Sequence, residues 1–150
     1  MSWKTILVPH DFSSSANHAA AIARDEAKVH GGALVLLHAI ELPYQLDADA
    51  LVTDEDGALR PLREIAMRKA DVHLSDLAER LGKDGVKATA VVCIGSPVDE
   101  IERVVAEHKV DLIVMGTHGR TGIRHLVAGS VTERVIRTSK VPVLAIRSPE

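Results

Sequence analysis

The sequence predicts an α/β protein with an open, parallel, five-stranded sheet and helices on both faces. Five short apolar runs, rich in β-branched residues, alternate with four segments in which apolar residues recur every three or four positions. This alternation is typical of β-α-β units, whose strands lie parallel in one sheet. A strand buried on both faces reads as nearly continuous apolar sequence, as Ala33–Ile40 does. The residues alone leave the order of the strands open.

The strands are expected where apolar residues follow one another without interruption. These stretches are Thr5–Pro9, Ala33–Ile40, Val86–Ile94, Leu112–Met115 and Pro142–Ile146. Each of them is short enough for a strand and is bounded by residues that favour turns or helix caps.

The helices between them have recognisable boundaries. Ser13 or Ser14 can cap the first helix, and Gly31-Gly32 can end it. Pro61 can open the second helix. The stretch from Ser96 to Asp99 resembles a capping box with a proline at the first helical position of the third helix.

An acidic segment, Glu41 to Gly57, separates the second strand from the second helix. It shows neither helical nor strand periodicity. Segments of this length without regular structure are more often functional flaps than tight turns. We therefore expect it to be a flap that is mobile without a ligand or partner.

The composition limits the class of function. The 150 residues suit a single domain, residues 1–150, with a sizeable core. Aromatic residues make up only 2% and the net charge is −3, so nucleic-acid binding is not expected. Cys93 is the only cysteine and lies in an apolar run, which suits a reducing compartment. Neither a membrane span nor a signal peptide is recognisable, and a cytoplasmic location is expected.

A glycine-rich stretch follows the fourth strand and leads into the last helix. It contains Gly116, Gly119 and Gly122 and ends at the pair Gly129-Ser130. Glycines allow the backbone N–H groups to approach a ligand closely, and a helix start adds free N–H groups and the positive end of a dipole. A strand, a glycine loop and a helix start in succession therefore predict a phosphate-binding site.

The spacing Gly116-x2-Gly119-x9-Gly129-Ser130 matches the G-2x-G-9x-G-[S/T] signature of the ATP-binding universal stress proteins. The start of the chain, Lys4 to Ser13, resembles the first strand and the aspartate-bearing loop of the same UspA-like family. The similarity extends over essentially the whole chain. It implies the strand order 3-2-1-4-5, the Rossmann-like arrangement of the adenine nucleotide alpha hydrolases.

The resemblance also implies a set of nucleotide contacts at the carboxyl ends of the strands. It carries the adenine contacts onto Pro9, Asp11 and the backbone of Ala39. It carries the ribose and phosphate contacts onto Met115, Gly116, Gly119, Gly129, Ser130 and Val131. With the implied strand order, these loops border the crevice between the first and fourth strands, where the order reverses.

The polar residues of this set allow more than one role. Asp11 can accept a hydrogen bond from an adenine amine or a ribose hydroxyl, or can help to hold a metal ion on the phosphates. It could instead cap the first helix. Ser130 can donate to phosphate and can also cap its own helix. Arg120 and Arg124 could pair with phosphate oxygens, or could be solvated surface residues.

No metal site built by the protein alone is expected. His10, His38 and His118 could lie near the carboxyl edge of the sheet, but their spacing matches no metal-binding motif. Mg²⁺ or Mn²⁺ arriving with the nucleotide needs few protein ligands and is the better hypothesis.

The favoured function is that of an ATP-binding regulator or sensor in the stress response, whose regulatory protein partner or oligomeric state depends on the nucleotide. ADP and AMP are alternative ligands. A slow ATP hydrolase is the second hypothesis, for which Asp11, His118 and Arg120 could serve, although no catalytic residue occurs at a recognisable spacing. A dimerising stress protein that binds no nucleotide is the third. Dinucleotide-binding, Walker-type and receiver motifs are absent from the sequence.

The last strand predicts a homodimer. Val141–Ile146 carries no charge, and the implied order places it at the edge of the sheet. Unprotected edges recruit other strands, so two copies could pair antiparallel through it. Pro142 removes one donor and gives partial protection, which keeps a monomer open.

Overall fold

The structure is a computed structural model that describes residues 1–117 and 130–147, without the side chain of Ser130. Seven strands and four helices lie within these residues. In chain order they are β1 (Thr5–Pro9), α1 (Ser14–His30), β2 (Ala33–Ile40), β3 (Leu51–Thr53), β4 (Leu59–Pro61), α2 (Leu62–Lys83), β5 (Ala88–Ile94), α3 (Pro97–Glu107), β6 (Leu112–Gly116), α4 (Ser130–Thr138) and β7 (Val143–Ile146).

Five of the strands form one parallel sheet in the order β5-β2-β1-β6-β7. The predicted fold class is therefore confirmed. In chain numbering this order differs from the predicted 3-2-1-4-5, because the sequence analysis missed β3 and β4, which form a separate two-stranded hairpin. When only the strands of the parallel sheet are counted, the order reads 3-2-1-4-5.

Helices cover both faces of the sheet, so that the core has two layers. Alternate residues of β1 point into opposite layers, as the pleat of a strand requires. Ile6 and Val8 pack against α1 and α2, whereas Leu7 packs against α3 and α4. All three side chains are fully buried. The apolar interior is thus built almost wholly from aliphatic side chains.

Helix α1 packs closely on the sheet because its buried face is made of small side chains. Four of the five alanines in this stripe, Ala16, Ala19, Ala20 and Ala23, lie in its first three turns. The side chain of Ser13 accepts a hydrogen bond from the backbone N–H of Ala16 and caps the helix. At the other end Gly31 adopts φ 61°, the left-handed conformation that commonly ends helices.

Several predicted boundaries need correction. Pro61 lies outside α2, as its N-cap residue, rather than in its first helical position. Ser96 makes no side-chain hydrogen bond at the start of α3, although Pro97 does open that helix. Strand β5 begins at Ala88, and β7 begins at Val143, one residue after Pro142.

The acidic segment contains regular structure, so the prediction of a patternless flap was wrong. Strands β3 and β4 pair antiparallel, and ion pairs hold the hairpin together and to α2. Arg60 Nε lies 3.0 Å from Asp54 Oδ2, and Arg68 of α2 approaches the same carboxylate at 3.6 Å. Arg63 pairs with Asp49. The mobility of this segment in solution stays a prediction.

None of the helices in the described part of the chain is long and apolar enough to cross a bilayer.

Candidate functional site

The central strands β1 and β6 are paired only at their amino-terminal halves. Their ladder consists of Ile6 with Leu112 and Leu7 with Ile113, whereas β1 pairs with β2 along its whole length. The carboxylate of Asp111 reinforces the paired end, where its Oδ2 accepts the backbone N–H of Lys4 at 2.8 Å. The carboxyl ends of β1 and β6 are not joined by ladder pairs. A crevice at this edge, where the strand order reverses, is the usual ligand site of open α/β sheets.

The loop after β1 forms one wall of this crevice. Asp11 Oδ1 accepts the backbone N–H of Ser13 at 3.0 Å, and Ser13 in turn caps α1. Asp11 is therefore not the helix cap, which removes one of its predicted alternatives. Phe12 between them has φ 65°, a left-handed conformation that a bulky residue rarely adopts. Such a conformation persists only where the surroundings enforce it.

His10 anchors the same loop from inside the protein. Its side chain is 4% exposed. Nδ1 accepts the backbone N–H of Phe12 at 3.0 Å, so the ring proton lies on Nε2, which donates to Asn17 Oδ1 at 3.0 Å. Burial lowers the pKa of His10 and outweighs the opposing effects of Asn17 and Asp11. The imidazole is thus neutral, and both of its nitrogens are engaged.

A second histidine connects this loop to β2. His38 Nδ1 donates to the carbonyl oxygen of His10 at 2.7 Å. The ring of Phe12 packs between histidines, with centroids 4.5 Å from His38 and 5.6 Å from His73 of α2. Ala39, the predicted adenine contact, follows His38 directly. His10 and His38 were predicted near this edge, whereas their hydrogen bonds were not.

The opposite wall is the end of β6. A Cβ on Gly116 would lie 2.2 Å from Ser15 Oγ, so only glycine fits there without movement of α1. Thr132, in the first turn of α4, donates from Oγ1 to the carbonyl oxygen of Gly116 at 2.9 Å. Met115 is 4% exposed and belongs to the core layer under α3 and α4. Neither Ser15 nor Thr132 was predicted to lie at this site.

The structure brings part of the predicted site together. Pro9 and Asp11 at β1, and Met115 and Gly116 at β6, lie on the two sides of the crevice. Ala39 lies near the carboxyl end of the neighbouring strand β2. Ser130 and Val131 begin α4. Gly119, Arg120, Arg124 and Gly129, and also His118, lie outside the described residues.

Two observations bear on other chemistry. Within residues 1–117 and 130–147, no group of three or more histidine, cysteine, aspartate or glutamate side chains is placed to hold a metal ion. Burial, assisted by Glu100, raises the pKa of the Cys93 thiol to about 11. This thiol is therefore protonated near neutral pH and is a poor nucleophile.

Comparisons with known proteins agree with this architecture. The family model described as "Universal stress protein family" matches residues 2–147. A universal stress protein of Thermus aquaticus is 34% identical over 97% of this chain and 99% of its own length. The solved structure of protein MJ0577, named as a Methanocaldococcus jannaschii universal stress protein, superimposes with a TM-score of 0.84 at 28% identity and covers 100% of this chain and 99% of its own.

Two more distant structures share the fold and were solved with nucleotides. One is a universal stress protein in complex with cAMP, with a TM-score of 0.71, 23% identity and 98% of each chain covered. The other is from Archaeoglobus fulgidus in complex with dAMP, with a TM-score of 0.65 and 22% identity over 97% of this chain and 99% of its own. The family match across nearly the whole chain and the identity to the Thermus protein lead to one assignment. This chain belongs to the universal stress protein family.

Proposed function

We propose that the protein binds an adenine nucleotide, with ATP favoured, in the crevice between β1 and β6, and that it acts as a regulator or sensor in the stress response. The observation that carries this proposal is the short ladder between these strands, which ends at Leu7 and Ile113. Past that point no ladder pair joins the backbone of Pro9 to Asp11 to that of Met115 to Gly116. The cAMP and dAMP complexes of structures with this fold support an adenine nucleotide as the ligand class.

In this proposal each wall of the crevice has its own task. Pro9 at the end of β1, Asp11 in the loop after it and the backbone of Ala39 on β2 contact the adenine. Met115 and Gly116 contact the ribose. Gly119, Gly129, Ser130 and Val131 bind the phosphates, with Arg120 and Arg124 as further phosphate partners. The described feature that fits a phosphate is the start of α4, whose first backbone N–H groups have no partner within the helix.

A divalent cation, Mg²⁺ or Mn²⁺, would arrive with the phosphates and screen their charge. Asp11 is the described carboxylate at the crevice that could approach such an ion. One of its oxygens already accepts the backbone N–H of Ser13. The ion therefore depends mainly on the nucleotide for its ligands.

The test of the adenine contact uses a substitution that preserves the loop. Asp11→Asn keeps an oxygen to accept the N–H of Ser13 but replaces the second oxygen with an amide NH₂, which cannot accept from the adenine amine. Loss of a hydrogen bond to a charged group predicts about 10- to 100-fold weaker binding. Calorimetric titration with Mg²⁺ and ATP measures it.

Ser14→Ala, an exposed change in the same region, serves as the control and should bind as the wild type does. Gly119→Val and Gly129→Val should abolish binding if the glycine motif approaches the phosphates. Unchanged affinity in folded Asp11→Asn and Gly119→Val proteins would refute the proposed site.

Binding without rapid hydrolysis is the better form of this proposal. Both nitrogens of His10, the buried histidine at the crevice, are occupied by Asn17 and Phe12. A general base needs a free lone pair within reach of the attacking water. We expect turnover far below the usual enzymatic range of about 1–10³ s⁻¹. Phosphate release measured at saturating ATP tests this, and a rate within that range would favour the hydrolase instead.

A homodimer through β7 is part of the same proposal. The strand lies at the edge of the sheet, Leu144 is 39% exposed and Ala145 is exposed, and no charge interrupts it. Val143 packs into the core, so a charge there would also destabilise the subunit. Leu144→Asp with Ala145→Asp should therefore give a folded monomer by light scattering. A folded variant that stays dimeric would place the interface elsewhere.

A further inference from the structure

Helix α1 carries a buried polar group in a face otherwise made of alanine. The buried residues of this helix are Ser15, Ala16, Ala19, Ala20, Ala23 and Ala27. Ser15 is 3% exposed, as fully enclosed as its alanine neighbours. Alanine at this position would also suit the small buried face, and it has the higher helix propensity.

The hydroxyl of Ser15 is unsatisfied among the residues that the structure describes. Its Oγ has no hydrogen-bond partner there, and it is the one buried side-chain polar atom found in that condition within them. Serine in a helix usually bonds to a carbonyl of the preceding turn or to solvent. A buried hydroxyl without a partner destabilises the folded protein, so its retention calls for an explanation.

The position of the hydroxyl supplies that explanation. Ser15 Oγ lies directly against Gly116, at 2.2 Å from the place where a Cβ would stand. Gly116 is the last residue of β6, the strand that borders the crevice opposite β1. Ser15 is also the second residue of α1, whose first-turn N–H groups have no partner four residues earlier in the helix. The unsatisfied donor and the positive end of the helix dipole therefore occur at one point beside the crevice.

Two other polar side chains at this helix start are already engaged. Ser13 Oγ accepts the N–H of Ala16, and Asp11 Oδ1 accepts the N–H of Ser13. The helix is thus capped without Ser15. A hydroxyl that is not needed for capping or packing is available for a ligand.

We propose that the Ser15 hydroxyl donates a hydrogen bond to the phosphate group attached to the ribose of the bound nucleotide. This inference rests on the proposed nucleotide site and adds α1 as a second helix start that faces the phosphates, opposite α4. An anionic oxygen is the acceptor that both the hydroxyl and the helix dipole favour. Ser15 is in this sense a specificity-determining residue, which distinguishes a nucleotide from a nucleoside.

The test compares AMP with adenosine on the wild type, on Ser15→Ala and on the exposed control Ser14→Ala. If the hydroxyl donates to phosphate, Ser15→Ala should weaken AMP binding about tenfold and leave adenosine binding unchanged, while Ser14→Ala should change neither. Thermal unfolding of the ligand-free Ser15→Ala protein should occur at the same temperature or higher, because no protein partner loses a bond.

Each other outcome overturns the inference in a recognisable way. Equal AMP affinity in the wild type and Ser15→Ala would make the residue a spacer for Gly116 only. An equal loss for AMP and adenosine would place its contact on the nucleoside or on the loop. A lower unfolding temperature without ligand would mean that the hydroxyl has a partner inside the protein. Failure of the wild type to bind AMP, ADP and ATP would instead overturn the proposed function itself, and this inference with it.

Discussion

The contact between Ser15 and Gly116 makes a quantitative prediction about stability. Gly116→Ala places a Cβ 2.2 Å from Ser15 Oγ and 3.0 Å from the carbonyl oxygen of Ser15. Both distances are shorter than normal contacts, so α1 must move away from β6. Overpacking of this kind costs about 1–3 kcal/mol. For a chain of 150 residues, about 1 kcal/mol lowers the unfolding temperature by roughly 2–4 °C.

A double-mutant cycle identifies the atom responsible. Ser15→Ala removes the shortest contact, while the tight contact with the backbone remains. The cost of Gly116→Ala should therefore be smaller by about 0.5–1.5 kcal/mol in the Ser15→Ala background. Chemical denaturation of the four proteins, monitored by circular dichroism, gives the required free energies of unfolding.

Gly32→Ala is the matched control for this cycle. Its Cβ would lie 2.4 Å from the carbonyl oxygen of Trp3, a backbone atom at the other end of α1. It should destabilise the protein as strongly as Gly116→Ala, yet add to Ser15→Ala without coupling, within about 0.5 kcal/mol. If Gly116→Ala is also additive with Ser15→Ala, the hydroxyl does not occupy the space beside Gly116 and the reasoning fails.

Three further predictions follow from local physical chemistry. Gly82 lies within α2 with open space around it, so Gly82→Ala should stabilise the protein by about 0.5–1 kcal/mol. Thermal unfolding measures this, and a destabilised variant would contradict it. The pKa of His10 lies below 6.5 in the folded protein, so this histidine is protonated more readily in the unfolded chain. The free energy of unfolding should therefore decrease as the pH is lowered below about 6.5. Denaturation of His10→Gln across this range should show a shallower fall, and an identical slope would contradict the cause. Cys93, with a pKa near 11 against 9.0 for a free thiol, should react at least about tenfold more slowly with a disulfide reagent at pH 8 than in the unfolded chain, because the loss of thiolate outweighs the higher nucleophilicity that accompanies a raised pKa. Equal rates would contradict its burial.

The sequence predicted the parallel sheet well because its signal is long and physically simple. Ala33–Ile40 is apolar except for His38, and the structure buries both of its faces. The alanines of α1 likewise recur at helical spacing, which identifies the face of the helix that packs on the sheet. Such patterns result from burial, which acts on every residue of an element, so they are visible without knowledge of its neighbours.

The hairpin β3–β4 was missed for the opposite reason. Each strand has three residues, and Leu51 and Leu59 are 61% and 64% exposed, so burial leaves no alternating pattern. The ion pairs that hold it, such as Arg60 with Asp54, depend on partners whose spacing follows no rule. An acidic sequence therefore appeared to lack structure when several of its carboxylates were in fact paired.

The sequence predicted only those parts of the candidate site that belong to the glycine motif or to the loop after β1. The glycine spacing and Asp11 pointed to the carboxyl edge of the sheet between β1 and β6, and nucleotide binding at this edge stays a prediction. Ser15 was not selected, because a single serine beside two others suggests helix capping. Its enclosure and its contact with Gly116 arise from the meeting of α1 and β6, which are about one hundred residues apart in the chain. Long-range contacts of this kind are not visible in local spacing.

The short ladder between β1 and β6 also has an evolutionary consequence. The pairs that hold these strands, and Asp111, which reinforces them, all lie at the end of the junction remote from the crevice. Substitutions in the loops after β1 and β6 can accumulate there without breaking the bonds that join the two halves of the sheet. Selection for a new ligand and selection for the junction of β1 with β6 thus act largely on different residues, although Gly116 serves both the crevice and the packing of α1. A lineage built on this fold can change what it binds while it keeps that junction intact.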